Sequence, residues 1–240
     1  MRAERQVDPT ACRRDDTILA PRILVCAGAQ LVALTHTPRD GSPRAQLVIL
    51  PPWGEEENRS RAMLAALARR LAAGGIATTL LNLSGTGESW PASPPSAPRQ
   101  WADELAAAAC RLGDPSRPQP PLALLACRQM AVWCAAHVLP ALPRLPYAPV
   151  LLWDPLGHAH RRALDDPAAA MRPIWAQRAS WKNKRGLVVL RSPQKRLRIW
   201  TGREGRIDRP LLDWACATIS AHLSTRQAGK TETGRQERRP

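Results

Sequence analysis

Phenylalanine is absent from this 240-residue chain and tyrosine occurs once, so Leu and nine Trp must fill the space that aromatics usually fill. Lysine is scarce too, with 31 arginines against 4 lysines. That skew, together with abundant Ala and Pro, reads as the codon usage of a GC-rich genome. No apolar run approaches the ~18–20 residues that a membrane-crossing helix needs. The N-terminal stretch MRAERQVDPTACRRDD is charged throughout, so no signal peptide is visible. The six cysteines, at positions 12, 26, 110, 127, 134 and 216, form no CxxC pair. This excludes a metal knuckle or a small disulfide scaffold, and the expectation is free thiols in a reducing cytoplasm. No internal repeat is present.

What remains is a length suited to one compact domain and an apolar share of 44%, enough for a true core. The net charge of +15 is uneven. Residues 178–209 hold eleven basic side chains against Glu204 and Asp208. Such a face could attract an anionic partner, either nucleic acid or acidic lipid headgroups. A solvated face in an arginine-biased protein explains it more simply. Nucleic acid is disfavoured, because only Trp181 and Trp200 interleave with the bases and no RNA or DNA module signature is present.

Along the chain, short apolar runs alternate with amphipathic stretches. Gln46–Leu50, Ile76–Leu83, Leu122–Cys127, Val150–Trp153 and Gly186–Leu190 are bounded by Pro or Gly and read as buried parallel strands. Arg22–Ala27 and Leu31–Thr35, joined through Gly28-Ala29-Gln30, read as an antiparallel hairpin at one edge. Met63, Leu67 and Leu71 mark one helix face, stopped by Gly74-Gly75. Trp101, Leu105, Ala108 and Leu112 mark a second. Leu212, Ala215, Ile219 and Leu223 mark a last one, with Asp208 as cap and Pro210 in the first turn. The pattern predicts an α/β fold: a mostly parallel, doubly wound sheet with an N-terminal hairpin and a reduced C-terminal part. The domain spans 22–223, between a flexible segment 1–21 and a disordered basic tail 224–240. Gly229-Lys230-Thr231 resembles the end of a phosphate-binding loop, but position 224 is Ser rather than Gly and no strand precedes it. No cofactor and no metal site are expected.

A hairpin followed by βαβα units is how an α/β-hydrolase begins, and two blocks make the likeness specific. Leu50-Pro-Pro-Trp-Gly-Glu-Glu-Glu-Asn-Arg-Ser-Arg-Ala-Met63 follows the third strand. Leu81-Asn-Leu-Ser-Gly-Thr-Gly-Glu-Ser89 matches a D-x-x-G-x-G-x-S turn, with Asn82 where Asp is usual. Together they resemble the exosortase A system-associated hydrolase 2 family, whose blocks read PPFxEExNKSRRM and DLxGCGDS. Leu151-Leu-Trp-Asp-Pro155 resembles that family's LLWQP, and the likeness runs from about Arg22 to Pro173. The resemblance implies an α/β-hydrolase fold, a setting of exopolysaccharide production and exosortase-dependent sorting, and a small-molecule or polysaccharide-pathway ligand.

The catalytic residues do not follow. Acyl-transfer enzymes of this fold carry a nucleophile on a G-x-S-x-G turn. The corresponding turn is Ala126-Cys127-Arg128-Gln129-Met130, where Arg128 stands in place of Ser and a protonated guanidinium cannot attack a carbonyl. The resembled family also has Arg there (G-L-R-x-G). Cys127, the neighbour, reads as small core filler. Residues 161–221 contain no histidine. The expectation is a degenerate site whose cleft candidates are Glu55, Glu56, Asn58, Asp154 and His158. His160 stands beside His158 in a polar loop at the sheet's carboxyl edge. A helix start favours Glu55, Glu56 and Glu57 for dipole reasons alone. One of them could also hold Arg128 in a charge-assisted pair.

Overall fold

The computed structural model describes residues 16–39, 43–91, 98–112, 122–138, 147–154, 187–192 and 207–236. Seven strands form one sheet: β1 (Thr17–Cys26), β2 (Ala29–Pro38), β3 (Ala45–Leu50), β4 (Ile76–Leu81), β5 (Leu122–Cys127), β6 (Tyr147–Trp153) and β7 (Leu187–Leu190). Their order is β1-β2-β4-β3-β5-β6-β7. The β1–β2 and β2–β4 pairs are antiparallel and all the others parallel. The fold class read from the sequence is therefore the one adopted.

Helices α1 (Glu55–Ala73), α2 (Pro98–Leu112), α3 (Gln129–Trp133) and α4 (Arg209–Gln236) complete the described elements, with a π-helical turn at Cys134–Val138 after α3. Two cores lie on opposite faces of the sheet. Alternate residues of the central strands point each way: Val48, Leu50, Leu124 and Ala126 pack with Trp101, Leu105 and Ala108 of α2 and with Trp133. Leu47, Ile49, Leu125 and Cys127 pack with Met63, Leu67 and Leu71 of α1 and with Leu212, Ala215 and Ile219 of α4. Each helical stripe seen in the sequence is thus the buried one.

The helix ends follow local chemistry. Gly75, at φ +84°, ends α1 where a side chain would be strained. Asp208 caps α4, its carboxylate accepting from the Leu211 backbone N–H at 3.0 Å. Arg44, just before β3, donates to the Gly74 carbonyl (3.3 Å) and to Ser224 Oγ (2.9 Å), tying the end of α1 and the middle of α4 to the base of the sheet.

Several boundaries differ from the sequence reading: β4 ends at Leu81 rather than Leu83, and β6 begins at Tyr147 rather than Val150. The hairpin starts at Thr17, so residues 17–21, assigned to a flexible segment, belong to the sheet. Thr17 pairs with Pro38 and Ile18 with Thr37, because β2 runs on past Thr35 and offers a ladder to match. Residues 224–236, expected to be disordered, continue α4. Adding residues to an existing helix is far easier than nucleating one, and no proline interrupts the chain before Pro240. Gly186, the expected start of β7, lies outside the described residues.

Candidate active site

Three parallel strands deliver their carboxyl ends to one place, and each ends on a positive φ. Beyond β3 the turn residue is Gly54 (φ +71°), beyond β5 it is Arg128 (φ +55°), and beyond β6 it is Asp154 (φ +45°). Gly adopts this region freely, whereas for Arg and Asp it stores strain of about 1–3 kcal/mol each. Arg128, with ψ −116°, sits on a sharp strand-to-helix turn, the geometry in which hydrolases of this fold expose a nucleophile.

Here the side chain turns inward instead. Arg128 Nε donates to Glu56 Oε2 at 3.1 Å and Nη2 donates to Glu56 Oε1 at 3.2 Å, a two-pronged pair. Nη1 donates to the Asp154 backbone carbonyl at 3.1 Å. The backbone is held as well, since the Arg128 N–H donates to the Trp153 carbonyl at 3.0 Å. The arginine side chain is only 3% exposed and that of Glu56 only 14%. A single guanidinium therefore joins the ends of β3, β5 and β6.

Asp154 is engaged in turn by β7. Its Oδ1 accepts from the Ser192 backbone N–H at 2.8 Å, and its Oδ2 accepts from Ser192 Oγ. The same Ser192 hydroxyl accepts from the Trp153 indole N–H at 3.0 Å. Nothing in the spacing of the sequence pointed to Ser192, because its only signal is its place two residues beyond a strand end.

The three consecutive glutamates go to three different fates. Glu55 meets Arg59 one turn along the exposed face of α1, at 2.7 Å. Glu56 takes Arg128. Glu57 is buried and turns toward the glycine-rich turn after β4, accepting from Asn82 Nδ2 and, at 3.0 Å, from the Gly87 N–H. Burial pushes the Glu57 carboxyl above its ordinary value, with the Asn82 and Gly87 donors opposing. A side chain at Gly87 would displace the Asn82–Glu57 contact: a Cβ there would lie 1.6 Å from Asn82 Nδ2 and 2.6 Å from Glu57 Oε1. The rest of the turn is pinned by Ser89, which accepts from the Val32 N–H and donates to the Asn82 carbonyl. Ser84 donates through both N–H and Oγ to the buried Glu104.

Of the other candidates, Asn58 stands exposed on α1 and is not gathered into this cluster. His158 and His160 lie outside the described residues, as does the basic stretch 178–209 apart from 187–192 and 207–209. Cys127 is wholly buried, and desolvation pushes its thiol well above the ordinary value, with Asp154 adding to the rise and Arg128 opposing it. His36 lies in β2, its pKa lowered by burial and by Arg69. Beside the elbow, Gln129 is buried with Nε2 near the Trp53 carbonyl and its Oε1 without a partner. Trp53, Trp101 and Trp133 stack edge to face behind it, at centroid distances of 5.5 and 5.6 Å. Among the described residues no group of three His, Cys, Asp or Glu is placed to hold a metal ion.

No protein-family model matches the sequence, and no curated protein matches it. Solved structures do. The chain is similar to dienelactone hydrolase from Anabaena variabilis, at 13% identity and a TM-score of 0.57 over 88% of this chain and 98% of that one. It is similar to a candidate carboxylesterase from Lactobacillus plantarum, at 15% identity and a TM-score of 0.50 over 77% and 80%. A hypothetical protein from Pseudomonas aeruginosa matches at 14% identity and a TM-score of 0.48, over 75% of this chain and 59% of that one. The first two comparisons establish the fold as that of the α/β-hydrolases.

Proposed function

We propose that this α/β-hydrolase-fold protein has exchanged its nucleophile for a clamp, and that its cleft binds a ligand without cleaving it. The observation that carries the reading is the two-pronged Arg128–Glu56 pair at the elbow. A guanidinium is no nucleophile, and this one is engaged by Glu56 and by the Asp154 carbonyl. Cys127 offers no substitute: it is buried beneath the elbow with a thiol held in its neutral form. The Asp154 carboxylate, at a strand end where such enzymes recruit acids, is occupied by Ser192. The likeness of the Leu50–Met63 and Leu81–Ser89 blocks to the exosortase A system-associated hydrolase 2 family supports a cytoplasmic role in exopolysaccharide production or exosortase-dependent sorting. The ligand on this reading is a small molecule or an intermediate of a polysaccharide pathway.

The test is chemical. A fluorophosphonate probe should leave the protein unlabelled, and short p-nitrophenyl esters should turn over no faster than with a non-enzymatic protein. Arg128→Ser should not create an esterase, because no general base comes with it. Stoichiometric labelling of the unmodified protein, or ester turnover abolished by Cys127→Ala, would overturn the proposal.

A further inference from the structure

The β1–β2 hairpin breaks the alternation expected of a sheet whose outer face meets water. Its inner face follows the rule, with Leu24, Cys26, Leu31 and Ala33 buried in the core. The outer face should then be polar. Instead the register sets Pro21, Ile23 and Val25 of β1 opposite Leu34, Val32 and Gln30 of β2, and Leu19 opposite the buried His36. Trp90 bridges to Gln30 at the tip and extends the same surface. No Asp, Glu, Lys or Arg occupies any of these positions. Ile23 is 68% exposed, Trp90 63%, Val25 57% and Leu19 53%. Edge strands are normally blunted by charges, and a contiguous exposed apolar patch marks an interaction surface.

Charge decides the partner. Each chain carries +15, so two copies stacked on this face would bring like charges together. An anionic surface would be attracted by the same excess. Beside Trp90 the charge is balanced, Arg61 of α1 pairing with Glu88, so the attraction rests on the excess of the whole chain. Branched aliphatics ending in an indole suit the headgroup boundary of a bilayer, where Trp is enriched because one edge is apolar and the other polar. No described helix is long and apolar enough to cross a membrane, so attachment would be peripheral. We infer that the outer face of the β1–β2 hairpin docks on an anionic lipid surface, its aliphatic side chains and Trp90 entering the headgroup region while the net positive charge of the chain draws it to the phosphates.

Vesicle co-sedimentation tests this with the full chain. The protein should pellet with phosphatidylcholine vesicles containing phosphatidylglycerol, more weakly with phosphatidylcholine alone, and less as salt is raised. Ile23→Glu combined with Val25→Glu should reduce pelleting about tenfold while the circular dichroism melt stays cooperative. If that double variant does not fold, Trp90→Ser, which changes one exposed side chain, should still weaken pelleting several-fold. Absence of pelleting by the unmodified protein would overturn the inference, as would equal pelleting of the variants. A dimer detected by light scattering and abolished by the same substitutions, without vesicle binding, would assign the face to a second copy and overturn it too.

Discussion

Glu56 and Glu57 are neighbours in sequence, yet they anchor two different turns by two different means. Glu56 reaches the elbow after β5 and meets a full positive charge in two-pronged geometry. Glu57 reaches the glycine turn after β4 and meets only neutral donors, an amide side chain and a backbone N–H. The elbow is held by an ion pair whose members depend on each other. The glycine turn is held by fit, with Gly87 chosen for its missing Cβ. A buried pair is damaging to break because the survivor is left charged in a poor solvent, whereas a neutral network fails mainly through misfit.

The largest effect expected from this contrast is at Arg128. Arg128→Ala should destabilise the protein by about 3 kcal/mol in chemical denaturation, since Glu56 is left largely desolvated without its partner. Removing both partners with Glu56→Gln in the same chain should recover part of that loss, and strictly additive losses would mean that the pair is not coupled.

The glycine turn should respond to pH instead. Asn82→Asp restores the acid usual in the resembled turn but sets two carboxylates against each other, so one must hold a proton. Burial already raises the Glu57 pKa from its ordinary 4.5. A raised carboxyl pKa contributes stability at low pH that is lost as pH rises through the folded-state value. The variant should therefore lie close to the unmodified protein near pH ~4 and fall behind as pH rises toward neutrality, by ~1.4 kcal/mol for each unit of added shift. A deficit independent of pH would rule out the shared proton.

Glu55 gives the smallest effect and the internal control. Its partner Arg59 lies on the same exposed helix face, and Glu55 is itself 82% exposed, so Glu55→Ala should cost about 0.3–0.5 kcal/mol, diminishing with salt. A loss comparable to that at Arg128 would show that the three glutamates are not divided as described.

Much of the fold was legible because periodicity reports burial directly. The Met63–Leu71 and Leu212–Leu223 stripes lie in the core, and Leu122–Cys127 is a strand from end to end. Asp208 was readable as a cap because capping is local chemistry. Edges were harder. Thr17–Pro21 carries no alternation that distinguishes it from loop, and its strand character comes from its partner ladder, Leu34–Pro38, across the hairpin. Within the site, the arginine at the elbow was visible from its motif, and a glutamate partner was foreseeable from charge. Which of three adjacent glutamates takes that place depends on helix phase relative to the sheet, and composition does not encode it. Ser192 was invisible for the same reason: its contact with Asp154 spans 38 residues and exists only once β6 and β7 lie side by side.

The tryptophan ladder has a spectroscopic consequence. Trp53 sits partly exposed beside the elbow, while Trp101 and Trp133 behind it are buried, and successive rings meet nearly at right angles. Indoles this close and this fixed couple their electronic transitions, so their near-ultraviolet circular dichroism depends on mutual orientation. A molecule that tilted the Trp53 ring relative to Trp101 would alter that signal. On the proposed reading, near-ultraviolet circular dichroism would then report cleft occupancy without a label and without any reaction taking place.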